Sequence, residues 1–101
     1  MEDMELVSFQ IIAAVGTARS MYIEAIQLAK KGDFDGAQQL IEEGSKVFLE
    51  GHRAHASLIQ KEASGERITI SLILMHAEDQ LMNAETTKLM AEEIIELYKT
   101  R

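Results

Sequence analysis

The stretch that decides the fold of this 101-residue chain runs from Ile70 to Met82 and reads ISLILMHAEDQLM. It is apolar at its start and amphipathic towards its end. The chain continues from there to Lys99 without a glycine or a proline. Apolar residues at three- and four-residue spacings predict a helix. We therefore expect one long helix from about residue 66 to residue 99.

This predicted third helix is apolar on two opposed sides. Residues advance by about 100° each around a helix axis. One stripe lies within about 60° of Asp79 by this rule, and it contains Ile68, Leu72, Met75, Met82, Thr86, Met90 and Leu97. The opposite stripe contains Ile70, Ile73, Leu74, Ala77, Leu81, Ala84, Ala91 and Ile95. A small monomer can bury only one of them, and an exposed apolar stripe usually marks an interface. We expect a homo-oligomer whose axis the third helix lines, and the pattern leaves dimer and trimer open.

The rest of the chain divides at two breaks. The first, GDFDG at residues 32–36, follows two lysines, as at the end of a helix, and offers Asp33 as the N-cap of the next one. The second, ASGER at residues 63–67, contains Gly65. Apolar spacing on either side of the first break predicts helices over about 4–31 and 34–62. The sequence therefore predicts an all-α protein, an antiparallel three-helix bundle forming a single domain over residues 1–101.

Composition and charge exclude several classes of protein. The chain has no cysteine, which rules out a disulfide scaffold, a thiol nucleophile and a thiolate metal site. Ten basic residues against seventeen acidic ones give a net charge of −7, so we expect no nucleic-acid partner. The acidic opening at residues 1–5 is atypical of a targeting peptide. The apolar stretch at residues 68–77 is shorter than the ~20 residues of a membrane span. We expect a cytoplasmic protein without membrane insertion.

Asp79 lies in the middle of one apolar stripe. A carboxylate in an apolar seam is unfavourable unless it is paired, protonated or metal-bound. Around a symmetry axis, copies of Asp79 would converge and favour a hard cation such as Mg²⁺. The alternative is an exposed aspartate away from the axis, and the sequence leaves both interpretations open.

His76 lies three residues before Asp79, at the edge of the same stripe. Neutral histidine is a nucleophile near pH 7, and a groove between subunits would keep it within reach of a substrate. The alternative is a buried core histidine that is hydrogen-bonded. His52 and His55 form an i, i+3 pair that lacks a third ligand. We expect them to be solvated or hydrogen-bonded rather than bound to a metal.

The sequence resembles one protein family over essentially the whole chain. Residues 70–82, with their His-Ala-x-Asp motif, resemble the active-site helix of the IIA component of the lactose/cellobiose (N,N'-diacetylchitobiose) class of the bacterial phosphoenolpyruvate-dependent sugar phosphotransferase system. Residues 91–99 continue this likeness. The first helix is similar around GTARS at residues 16–20. The two loops are similar around KGDF at residues 31–34 and LIQKEASG at residues 58–65.

The resemblance implies a homotrimer of three-helix bundles. His76 would accept a phosphoryl group from the phosphohistidine of the carrier protein HPr and pass it to a cysteine of the IIB component. Asp79 would bind a shared Mg²⁺ on the trimer axis. Gln80 stands where some members carry a second histidine, and one turn after His76 it is a candidate for orienting the imidazole. The absence of cysteine agrees with a IIA component and excludes a IIB one. Lactose, cellobiose and chitobiose are not separated by these residues.

Two other classes of protein compete with this interpretation. A non-catalytic, acidic helical adaptor or regulatory subunit would have the same helices and oligomer, but would not need His76. A four-helix metal carrier would need repeated Glu-x-x-His signals, which the sequence lacks.

Overall fold

A computed structural model describes the backbone of residues 2–101 and the side chains of residues 4–101. Its three helices are α1 (Glu2–Lys30), α2 (Phe34–Ala63) and α3 (Leu72–Lys99). The predicted all-α fold is confirmed, and the first two helices have nearly the predicted bounds. Met1, which the predicted domain includes, lies outside the described residues.

Pairs of contacting residues give the direction of each helix. Gly44 packs against Tyr22 and Gly51 packs against Val15, so α2 runs antiparallel to α1. Leu58 and Leu74 share one apolar cluster, and α3 runs back antiparallel to α2. α1 and α3 are therefore parallel, and the bundle is 51 Å long and about 20 Å across.

The first break forms as the sequence predicts. Gly32 has a φ of 87°, a left-handed conformation that glycine adopts without steric cost. Asp33 then caps α2, because its Oδ1 accepts a hydrogen bond from Gly36 N at 2.9 Å.

The predicted start of the third helix at residue 66 is wrong. Gly65 has a φ of 100°, and residues 66–71 carry no regular structure. Ser71 has extended dihedral angles and its Oγ accepts a hydrogen bond from Leu74 N at 3.2 Å, which makes it the N-cap of α3. The preceding Ile68, Thr69 and Ile70 are β-branched and poor helix formers. Ile68 and Ile70 therefore do not belong to the stripes of α3.

The core is organised around α1. Helices α2 and α3 each pack along α1 and contact each other much less. One apolar cluster lies towards the N-terminal ends of α1 and α3 and contains Ile11, Val15, Leu58, Leu74, Ala77, Leu81 and Ala84. The second lies towards the other end and contains Ala18, Tyr22, Ala25, Ala29, Ala37, Ile41, Ala91 and Ile95. The many alanines allow close approach of the helices, so a chain without tryptophan still fills its core.

Tyr22 is the largest fully buried side chain. Burial raises the pKa of its hydroxyl above its usual value, the neighbouring Ser45 side chain lowers it, and the charge of Glu92 raises it further. The net result is a tyrosine that holds its proton more firmly than a solvated one does.

Among the described helices, only α1, over Met4–Lys30, is long and apolar enough to cross a membrane. A core helix of a soluble protein has the same composition. The buried residues of α1 include Ile11, Val15 and Tyr22, which form the core with α2 and α3.

Candidate functional site

Helix α3 separates its two apolar stripes as the sequence predicts, except that Ile73 is only half-buried and lies beside His76. The inward stripe is buried and contains Leu74, Ala77, Leu81, Ala84, Ala91 and Ile95. The residues of the opposite side are each more than half exposed: Leu72, Met75, Met82, Met90 and Leu97. We call these five residues the outward stripe. Among residues 4–101 of the chain nothing covers this apolar area, and the homo-oligomer stays a prediction.

His76 lies in the second turn of α3, at the edge of the outward stripe. The side chain is exposed and borders a shallow apolar depression formed with Leu72 and Ile73. Within residues 4–101 the imidazole makes no hydrogen bond. The alternative of a buried, hydrogen-bonded core histidine is therefore wrong. Within the described residues, the His76 imidazole is thus unpartnered and open to solvent.

Asp79 lies one turn after His76, and its carboxylate is also exposed. Asn83 Nδ2 donates to Asp79 Oδ2 at 3.3 Å and to the Asp79 carbonyl oxygen at 3.2 Å. In the described residues, no three His, Cys, Asp or Glu side chains are grouped so as to hold a metal ion. One chain therefore offers a single carboxylate at this position, and a metal site would have to combine several copies.

Gln80 is half-buried, on the side of α3 that carries His76. No hydrogen bond joins its amide to the imidazole within residues 4–101. The two side chains lie one turn apart and are free to interact through a ligand or a neighbouring chain.

The sequence did not predict a contact between a histidine of α2 and a glutamate of α3. His55 Nδ1 and Glu78 Oε2 are 2.6 Å apart, and both side chains are partly buried. His55 is thus hydrogen-bonded, one of the two states expected for it. Its neighbour His52 is exposed and stacks on Phe48, with ring centroids 6.2 Å apart. No spacing within one helix signals such a pair, because its two members lie 23 residues apart and meet only in the folded bundle.

Comparison with known proteins gives this arrangement a family. The family model described as "PTS system, Lactose/Cellobiose specific IIA subunit" matches residues 6–99. The chain is 43% identical to the lactose-specific EIIA component of Staphylococcus aureus strain N315, covering 97% of this chain and 95% of the relative. It is 45% identical to the lichenan-specific phosphotransferase enzyme IIA component of Bacillus subtilis strain 168, covering 97% and 89%.

Two solved structures share the fold over almost the whole chain. The cellobiose-specific enzyme IIA of Bacillus anthracis has a TM-score of 0.94 and 43% identity, covering 96% of this chain and 89% of that one. The IIA(Chitobiose) of Escherichia coli, solved as a complex with HPr, has a TM-score of 0.83 and 31% identity, covering 96% and 94%. The chain belongs to the family of lactose/cellobiose-specific IIA subunits of the sugar phosphotransferase system.

Proposed function

We propose that this chain is a phosphocarrier that accepts a phosphoryl group on His76 from phospho-HPr and passes it to a cysteine of a IIB component. The relay would serve uptake of a disaccharide of the lactose, cellobiose or chitobiose type. One observation carries the proposal: in a chain of this family, His76 is exposed on α3 and has no hydrogen-bond partner in the described residues. The Escherichia coli relative solved with HPr supports HPr as the donor.

The proposed transfer requires this chain to supply a nucleophile and to position it. The lone pair of neutral His76, on Nε2 in our proposal, attacks phosphorus in line with the donor histidine nitrogen. The bond from phosphorus to that nitrogen breaks as the bond to His76 forms. Because the transition state of such transfers is loose, the protein acts by positioning and by charge. We place Gln80, one turn on, as the group that orients the imidazole.

The charges on α3 restrict how the phosphoryl group is stabilised. Glu78 and Asp79 follow His76 after a single alanine, Ala77, and α3 has no lysine or arginine before Lys88. Helical side chains lean towards the N-terminus of their helix, which brings His76 towards the first turn of α3. A helix N-terminus favours negative charge. The remaining positive charge would have to come from other elements or from the partner protein.

We further propose a homotrimer with α3 around its axis. The outward stripe supports association, because burying it removes apolar area from water. Asp79 lies within this stripe, so three copies would bring three carboxylates together. Their oxygens suit Mg²⁺, which would neutralise their charge when bound. In this proposal Asp79 holds the ion, and the ion takes no part in the transfer itself.

The partners and location follow from the same proposal. The donor HPr and the acceptor IIB would use the open face around His76 in turn. We expect the protein in the cytoplasm, where α1 serves as a core helix.

A mass measurement tests the assignment of His76. The protein is incubated with phosphoenolpyruvate, the first enzyme of the relay and HPr. We expect a gain of ~80 Da that is lost in acid, as for phosphohistidine. His76→Ala should show no gain, and His52→Ala, an exposed histidine on another helix, should gain as wild type does. Phosphate uptake by His76→Ala would overturn the assignment. No uptake by the wild type would favour the acidic adaptor instead.

A further inference from the structure

The contact between His55 and Glu78 ties together the two helices that otherwise touch least. In residues 4–101, it is the only side-chain hydrogen bond between α2 and α3. Open grooves lie on both sides of it. One is lined mainly by apolar residues on either side of the second break, including Leu58 and Ile70, and the other by polar and apolar residues, including Ser45 and Phe48. At this level α2 and α3 are joined by one directional contact.

This contact lies two residues from His76 in sequence but on the other side of the helix. By the 100° rule, the Cα positions of Glu78 and His76 are separated by about 160° around the axis of α3. Glu78 points to α2, whereas His76 borders the depression with Leu72 and Ile73. A rotation of α3 that moves Glu78 away from His55 would therefore swing His76 by the same angle.

Few other directional contacts from α2 act on that angle at the start of α3. The six residues before Leu72 have no regular structure, and of these Ile68 packs against the apolar cluster. Leu74 and Ala77 pack into the core and set which face of α3 turns inward, and the hydrogen bond adds direction to this packing. A hydrogen bond with a 2.6 Å separation is directional. Partial burial also shields it from water and salt.

We infer that His55 and Glu78 are positioning residues for phosphoryl transfer, which hold α3 at the rotation that presents His76 to its protein partners. This inference rests on the proposed function. It assigns neither residue a contact with the phosphoryl group. Misplacement of a reacting atom by 1 Å can lower a rate considerably, so a small rotation of α3 is sufficient.

The test measures the transfer rate from phospho-HPr at increasing donor concentration. His55→Ala and Glu78→Ala should each lower the maximal rate by roughly three- to tenfold and change the half-saturating concentration little. The double alanine variant should be no slower than either single one, because both remove one shared contact. The variant carrying both His55→Gln and Glu78→Gln should recover at least half of the wild-type rate, since one amide can donate to the other.

Matched controls separate positioning from general damage. Glu85→Ala changes an exposed glutamate two turns after Glu78. Glu62→Ala changes an exposed glutamate of α2 that lines the apolar groove next to Glu78. Both should transfer at the wild-type rate. Three results would each overturn the inference. The first is a wild-type rate in both single alanine variants. The second is a double alanine variant whose rate falls by the product of the two single effects, and the third is no recovery of the rate in the double glutamine variant. These results would leave the proposed function intact, since only phosphorylation of His76→Ala or none in the wild type removes that.

Discussion

Gly51 of α2 lies against Val15 of α1 so closely that a Cβ on the glycine would be 2.7 Å from Val15 Cγ1. Seven residues earlier, a Cβ on Gly44 would be 2.8 Å from Tyr22 Cε1. Both glycines are buried. Both contacts are tight packing of one helix on another, because α2 continues through both positions and touches α1 there.

Alanine at Gly51 should destabilise the protein although alanine favours helices. The added methyl group must displace Val15, and overpacking of this kind costs about 1–3 kcal/mol. This exceeds the gain of about 1 kcal/mol from helix propensity. Gly16→Ala in α1 is the control, because a Cβ there meets nothing within 4 Å. Urea denaturation at one protein concentration should show a lower midpoint for Gly51→Ala and an equal or higher one for Gly16→Ala. A stabilised Gly51→Ala would mean that the two helices separate easily.

Loss of the Ser71 cap should loosen the start of α3. Ser71→Ala removes the acceptor of the Leu74 N–H, and loss of an N-cap costs about 1 kcal/mol. Ser71→Asp keeps an acceptor and should restore stability. Ser57→Ala is the control, since this exposed hydroxyl donates only to the Ala54 carbonyl within α2. Amide exchange should be faster in the first turn of α3 for Ser71→Ala only. An unchanged exchange rate would show that packing of Leu74 alone fixes this turn.

In the proposed trimer, the outward stripe rather than a metal ion should hold the chains together. Asp79→Leu would remove the three carboxylates at the axis and extend the apolar surface, so the assembly should persist in sedimentation. Met82→Glu places a charge within the same stripe and should produce monomers. Glu93→Gln, which changes an exposed residue of α3 without adding charge, should behave as wild type.

The metal can be measured in the same samples. Wild type should bind Mg²⁺ with about one ion per three chains, as three converging carboxylates imply, and Asp79→Leu should bind none. Monomers of Asp79→Leu would show that the ion maintains the assembly and that the apolar stripe contributes less than we propose.

Tyr22 should make the protein sensitive to alkaline pH. Burial raises its pKa in the folded state above 10.0, so the unfolded chain loses this proton first. The stabilisation is complete below pH 10 and is lost as the pH rises through the folded-state pKa. Tyr22→Phe should reduce this loss, and Tyr98→Phe at the end of α3 should leave it unchanged. The measurement is the free energy of unfolding between pH 8 and about 11. An equal slope for wild type and Tyr22→Phe would contradict the prediction.

Most of the fold could be predicted because it depends on periodic signals. The two glycine breaks and the spacing of apolar residues define α1 and α2 nearly to the residue. The division of α3 into an inward and an outward stripe also follows from its period. The start of α3 could not be placed by period alone, because Ile68 and Ile70 fit the apolar pattern. Ser71, a capping residue just before an apolar run, was the signal that marks the true start.

The sequence predicted only the part of the candidate site that lies on a single helix. His76 and Asp79 share α3, so their spacing places them near each other. The partner of Glu78 lies on α2, and only the packing of both helices on α1 brings His55 to it. No repeat or spacing in the sequence predicts the contact between His55 and Glu78, because it depends on how far two antiparallel helices are shifted along each other.

The central position of α1 has a consequence for how the chain is made. Synthesis proceeds from the N-terminus at roughly 5–20 residues per second, so α1, on which both other helices pack, leaves the ribosome before them. Helix α2 can then dock on α1, with both glycine contacts in place, before α3 emerges. Helix α3, which carries His76, thus meets a packing surface that is already formed. The outward stripe is therefore exposed only after α1 and α2 have assembled.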